Sequence, residues 1–390
     1  MIGPPRRTPS ATVDTRVRTA VDRPGQDGAR RLRESTVTVA TNPQELYQRF
    51  DTPLGVSLQP AGVRLRVLTN DVVIRDELAH YFRAYACSEA TPHQAVIKIV
   101  QATIDPGSGW QDVVRGPDKK VEDSVRQVDG GRLILNRLTG VVMALQPGWA
   151  LAIGDLRTHL NQGINLVNAC FAQIIMRRGH LLLHASGVSQ NGRVAALAGP
   201  PGAGKSTASL QLVEQGFRFL SHDRVLARRE PGRVEAIGYP QMPRVNPGTL
   251  LHHSRLCAIV PPCERDALSA LSPDELWGLE RRRDVDLDEV YGPGTTVLQG
   301  ELRALVLLRG QLDGGGFRSR QLDSNEALAA VPLYYKDLGV FDLDRRLSVE
   351  EAAHQLSVYA GLLRSIDVVE IRGRWDFAAL GEVVSELLDR

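Results

Sequence analysis

A chain of 390 residues has room for about two domains. Its 43% hydrophobic and 24% charged residues are ordinary for a globular protein. A formal net charge of +2 excludes binding to nucleic acid or a membrane driven by bulk charge, so neither partner is expected.

Only five of the 47 basic residues are lysines: Lys98, Lys119, Lys120, Lys205 and Lys336. Arginine clusters therefore carry little information here, and a lysine in a motif carries more. The four cysteines (Cys87, Cys170, Cys257 and Cys263) form no C-x-x-C pair, so neither a zinc site nor a disulfide framework is expected. That usage suits a reducing cytoplasm. No apolar run follows Met1, which argues against a secretory signal. The most apolar helical stretch, Ile164–Met176, is short for a bilayer and is interrupted by Asn and Gln. A cytoplasmic protein is expected.

Residues 1–40 are rich in Arg, Thr, Pro, Gly and Asp and contain no aromatic residue, so a disordered tail is expected there. A smaller α+β domain is expected over residues 41–153. "VRLRVLTND" and "QAVIKIVQA" alternate as strands do, and "RDELAHYFRAYA" between them has helical spacing. "GGRLILNRLTGVVMALQPGWALAIG" reads as consecutive hairpin strands. No nucleophile–base or metal-ligand spacing stands out in this region, which suits substrate docking or assembly.

A second domain is expected over residues 154–390. "GINLVNACFAQIIMRRG" reads as a buried helix leading into "HLLLHASGVSQNGRVAALAG". Two apolar runs flank Asn191-Gly192, the strongest short hairpin signal. With those two residues as the turn, Gln190 pairs with Arg193, and His184 falls opposite Gly199. His184 is thereby a site candidate. The competing reading is a histidine in a half-buried strand.

Gly199-Pro200-Pro201-Gly202-Ala203-Gly204-Lys205-Ser206 fits G-x-x-x-x-G-K-[ST] in full, and Thr207 follows. An apolar strand, "VAALA", precedes it, and the helix "STASLQLVEQG" follows, as a phosphate loop requires. The glycines let successive N–H groups turn inward onto phosphate oxygens, and the helix N-terminus adds partial positive charge. Lys205 reaches the β- and γ-phosphates of ATP, and the Ser206 hydroxyl can ligate Mg²⁺. The loop still needs a carboxylate. "FRFL" is expected to form the next strand, ending at Ser221-His222-Asp223. There Asp223 can hold the metal or take a proton from an attacking hydroxyl. The alternative is an aspartate that only caps a turn. His222 either sets the charge of Asp223 or is simply solvated.

These residues resemble the HPr serine kinase/phosphorylase superfamily, which carries a histidine on the strand before G-x-x-x-x-G-K-S and a pair of aspartates ending the next strand. "PQMPRVNPGTLL", "LSPDELWGLERRRDVDLDEVYGPG" and "VVEIRGRWDFAALGEVVSELL" are similar to the subgroup called HPr kinase-related kinase B. The resemblance runs from about residue 179 to the C-terminus and is weaker before it. It implies an α/β P-loop kinase domain of the HPr kinase/PEP carboxykinase-like type, with a mixed sheet. It also implies Lys205, Asp223 and His184 as catalytic residues, ATP and Mg²⁺ as cofactors, and a homo-oligomer. Members of the related group are commonly encoded beside an ATP-grasp enzyme, which implies a dedicated companion system. Two departures stand out. His222 occupies the place of the first paired aspartate, and "MPRVNPGT" stands where E-x-R-G-x-G is expected. Phosphorylation of HPr itself is therefore not implied.

Arg244 and Asn246 lie on an expected loop where a substrate or γ-phosphate contact can form, or which merely turns the chain. Tyr291-Gly292-Pro293-Gly294 follows Asp284, Asp286, Asp288 and Glu289, and reads either as a mobile lid or as the end of a solvated acidic face. The function expected is an ATP-dependent kinase acting on a hydroxyl, serine first, of an unidentified protein or small-molecule acceptor. The alternatives are a non-catalytic ATP-binding or switch module and a small-metabolite P-loop kinase. Enzymes of the last kind usually begin at the loop strand, whereas here about 180 residues precede it.

Overall fold

The computed structural model describes residues 36–39, 42–89, 92–114, 120–279, 281–309, 315–343 and 349–390. Residues 1–35 and 40 of the expected tail lie outside them, as does Lys119. The first half runs β1 (Val37–Thr38), α1 (Pro43–Gln48), β2 (Leu54–Leu58), β3 (Leu65–Thr69), α2 (Val72–Tyr81), β4 (Ala95–Gln101), β5 (Ile104–Asp105), β6 (Gln111–Asp112), β7 (Asp123–Val128), β8 (Gly131–Asn136), β9 (Val142–Gln146), β10 (Trp149–Gly154) and α3 (Leu160–Arg177). Eight of these strands form one sheet, in the order β2-β3-β4-β10-β9-β8-β7-β6. The hairpins expected over residues 130–154 are its antiparallel meander.

Two expectations shift here. β1 lies inside the segment read as a tail: it pairs with β5, and Val37 and Val39 are buried. That two-valine face is hidden by the polar composition around it. The helix expected from Arg75 begins instead at Val72. Asp71, read as the end of a strand, accepts the Val73 and Ile74 N–H groups as an N-cap.

The second half runs β11 (Leu181–Leu183), β12 (Ala185–Gln190), β13 (Arg193–Ala198), α4 (Lys205–Glu214), β14 (Arg218–Ser221), β15 (Val225–Glu230), β16 (Arg233–Gly238), β17 (Arg244–Val245), α5 (Pro247–Leu251), α6 (Pro262–Ser269), α7 (Pro273–Gly278), β18 (Arg283–Asp284), α8 (Leu287–Tyr291), β19 (Gln299–Leu308), β20 (Arg318–Gln321), α9 (Ser324–Ala329), α10 (Val349–Leu363), β21 (Asp367–Arg372) and α11 (Phe377–Asp389). Its nine-stranded sheet follows β11-β15-β16-β19-β13-β12-β14, and β20 and β21 attach beside β19. β13, β19 and β21 run parallel, while the remaining pairs are antiparallel. The result is a mixed α/β arrangement.

α3 joins the two sheets. It is buried around most of its circumference because it contacts β4 and β10 on the first sheet and β15 on the second. Gly163 lies so close to β4 that a Cβ there would sit 3.0 Å from Ile99 Cδ1. Phe171 meets the Tyr239 ring edge to face, with centroids 6.1 Å apart. One continuous apolar cluster therefore takes residues from both sheets.

Candidate phosphate site

Asn191 (φ 52°) and Gly192 (φ 78°) both take positive φ, as the tight hairpin turn demands. The ladder then runs from Gln190–Arg193 out to Ala185–Ala198. It stops one step short of the His184–Gly199 pair read from the sequence. The reason is a change of partner at His184. Beyond it, β11 leaves β13 and pairs with β15, and the His184 N–H donates to Tyr334 O at 2.7 Å.

The same corner is spanned from the other side. β14 runs antiparallel to β12, and the chain then passes through His222, Asp223 and Arg224 into β15. The turn between β14 and β15 thus faces the bend between β11 and β12. His184 Nε2 lies 3.0 Å from Asp223 Oδ1. Sequence register brought His184 to this end of the strand; the partner change turned it towards Asp223.

β13 ends at Ala198, and the loop passes over the end of β19. A Cβ on Gly199 would lie 2.5 Å from Leu308 O, so only glycine fits that approach. Gly204 (φ 82°) precedes α4 and provides no side-chain cap. The first-turn N–H groups are thereby open to an anion. Ser186 on β12 is fully buried, and its hydroxyl donates to Lys205 O, fixing the helix start. The Lys205 ammonium folds back onto Gly199 O (2.9 Å) and Pro200 O (3.3 Å). Burial lowers its pKa, the nearby Asp223 raises it, and Lys336 lowers it further. Pro200, Pro201 and Gly202 form the exposed or open tip, whereas Ala203 packs inward. Ser206 is half-buried at the helix start. Thr207 differs from expectation: its hydroxyl meets Thr249 Oγ1 at 3.2 Å, tying α4 to α5.

Asp223 carries two further contacts that the sequence reading missed. Lys336 Nζ donates to Asp223 Oδ2 at 2.5 Å, and Arg224 Nε lies 3.9 Å from the same oxygen. Burial works to raise the Asp223 pKa. The His184 hydrogen bond and the Lys336 charge outweigh it and hold the carboxyl well below the usual carboxylate range. With 37% of the Asp223 side chain exposed, solvent screens these pairs, so they fix geometry more than they stabilise the fold. The scarcity of lysine was the available signal for Lys336, but no local motif connected it to the loop.

His222 fits neither role expected of it. Burial, with Arg282, Arg244 and Lys205 nearby, pushes its pKa down to about 4 against the opposing effect of Asp223. A neutral ring lends Asp223 no charge, and its Nδ1 is enclosed without a hydrogen-bond partner among the described residues. Among the described residues, no three His, Cys, Asp or Glu side chains gather to hold a metal. Ser206 and Asp223 offer a hydroxyl and a carboxylate oxygen, the donor type that Mg²⁺ takes together with phosphate oxygens and water.

Arg244 is not on a loop: it lies in β17, paired with Asp284 of β18, with Nε 3.4 Å from Asp284 Oδ1. Asn246 precedes α5 without capping it, and its Oδ1 is buried without a partner among the described residues. Neither residue touches the phosphate loop in the described contacts. The Tyr291 hydroxyl donates to Glu214 Oε2 at 2.9 Å, which ties this end of the acidic run to α4. The acidic run is likewise committed. Asp286 caps α8 and pairs with Arg83, Glu289 pairs with Arg83, and Asp288 accepts the Thr296 N–H. No described helix is long and apolar enough to cross a membrane.

No protein-family model matches the chain, and no curated protein matches it. Among solved structures, the Hpr(Ser) kinase/phosphatase from Coxiella burnetii resembles it at 11% identity and a TM-score of 0.28, over 53% of this chain and 88% of that one. So low a score supports no argument from the likeness.

Proposed function

We propose that the chain is an ATP-dependent kinase that moves the γ-phosphoryl group to a hydroxyl, serine first, of a protein or small partner. One arrangement carries this reading: a complete phosphate loop beside a carboxylate that His184 and Lys336 hold in place. Lys205 would exchange the carbonyls of Gly199 and Pro200 for β- and γ-phosphate oxygens. Ser206 and Asp223 would hold Mg²⁺, which neutralises charge between those phosphates. In the transfer, a bond forms from the acceptor oxygen to the γ-phosphorus as the bond to the bridging oxygen breaks. ADP leaves with that electron pair. The acceptor proton is lost late, as expected for a loose transition state, so the weak base Asp223 suffices to receive it.

His222, which stands where a second acid is expected, favours a second reading, an ATP-dependent switch without an acceptor. Incubation with γ-labelled ATP and lysate of the source cells separates the two. Label on another molecule supports the kinase. Release of labelled phosphate alone supports the switch. Lys205→Ala is expected to abolish the nucleotide-induced rise in melting temperature while leaving the fold intact. An equal rise in wild type and variant would remove the basis for both readings.

A further inference from the structure

Lys336 is held more firmly than an ordinary surface cation. Tyr334 is fully buried, its hydroxyl donates to Ala327 O, and its carbonyl accepts the His184 N–H. Tyr335 forms an antiparallel bridge with Leu183. The backbone is thus pinned to β11 just before Lys336, and the ammonium is delivered to the same corner as His184. The side chain remains 24% exposed, so a ligand from solvent can reach it.

Charge and hydrogen-bond capacity both exceed what Asp223 needs. Lys336 and Arg224 pair with Asp223 and Lys205 lies within its charge field, while Asp337 is the other carboxylate acting on Lys336, so three cations meet two carboxylates. Partly buried positive charge in excess of its partner is costly unless an anion joins it. The Lys336 ammonium has three protons, and among the described contacts only one is engaged, on Asp223. The surplus lies beside the loop that Lys205 closes.

We propose that Lys336 is a second phosphate-contacting residue, which joins Lys205 on the terminal phosphoryl group of the nucleotide. The inference rests on the reading of the 199–206 loop as a triphosphate site. When the triphosphate binds, Lys336 shares its protons between Asp223 and the phosphoryl oxygens, so the residue discriminates ATP from ADP. A residue that only paired with Asp223 would not.

Calorimetric titration of wild type, Lys336→Gln, Lys336→Arg and Asp223→Asn with ADP and with a non-hydrolysable ATP analogue tests this. The titrations are run in EDTA so that no metal contributes. Lys336→Gln is expected to lower analogue affinity about tenfold and leave ADP affinity unchanged, as for loss of one charge-assisted contact. Lys336→Arg is expected to restore most of the difference. Asp223→Asn, which releases the ammonium, is expected to tighten the analogue and not ADP. If Lys336→Gln and Asp223→Asn instead shift both nucleotides alike, Lys336 is only the partner of Asp223 and the proposal fails. If Lys336→Gln does not fold, Asp223→Asn decides alone: an unchanged ratio of the two affinities overturns the proposal. A wild type that binds neither nucleotide, in EDTA and again with Mg²⁺ added, overturns the loop reading itself.

Discussion

His222 is half-buried at the corner of the site, with its Nδ1 enclosed and its pKa pushed down from 6.5 to about 4, chiefly by burial. The unfolded chain therefore takes up a proton on this ring at a pH where the folded chain refuses it. Between pH 6.5 and about 4, stability must fall as pH falls, by roughly 3 kcal/mol at most for a shift of that size. Asp223 acts in a separate window. Its depressed pKa adds stability that is present above the ordinary carboxylate range and is lost only as pH falls below it. Urea midpoints measured from pH 7 to pH 4 are expected to decline less steeply in His222→Asn than in wild type. Parallel declines would mean that the ring is protonated in the folded protein. At this scale the sequence was informative where a motif was local, as for Gly199–Ser206. It was silent where a residue arrives from far along the chain. Lys336 is 113 residues from Asp223, and nothing in "YYKD" by itself points to a carboxylate.

The elements around the site show a similar division. The Asn191-Gly192 turn fixes every pair of the β12–β13 ladder, because two positive-φ residues leave one register. The bend at His184 could not be read in this way. It exists because β11 prefers β15, and that choice is made by distant packing and not by the period of the β11–β12 segment itself. Gly238 on β16 secures the arrangement from behind. A Cβ there would lie 2.1 Å from Leu220 O, on the strand that ends just before His222 and Asp223. Backbone cannot yield as a side chain does, so Gly238→Ala must push β14 away. A loss of roughly 1–3 kcal/mol is expected, together with weaker nucleotide-induced stabilisation, since the displaced turn carries Asp223. Wild-type melting behaviour in Gly238→Ala would show that β14 and β16 are farther apart than described.

Over residues 36–390 the two sheets behave as one packed body, because α3 is buried along most of its length between them. Chain length and the strand and helix pattern suggested two domains, with a boundary near residue 153. The helix beyond that boundary buries Gly163 against β4 and Phe171 against Tyr239. Removing residues 1–153 would expose the side of α3 that faces β4 and β10, leaving an apolar surface on the fragment. That fragment is expected to bind a hydrophobic dye and to associate, whereas the full chain does not. Phe171→Ala, which empties a fully buried position in the shared cluster, is expected to cost roughly 3–5 kcal/mol in the full chain. The decisive measurement uses the tryptophans, which lie on both sides of the join: Trp110 and Trp149 before α3, Trp277 and Trp375 after it. Replacing either pair with phenylalanine leaves a fluorescence probe in one half only. Coincident urea transitions from the two variants are expected if α3 couples the sheets. Two separated midpoints would mean that the halves unfold independently, and that the phosphate loop is stabilised by the second sheet alone.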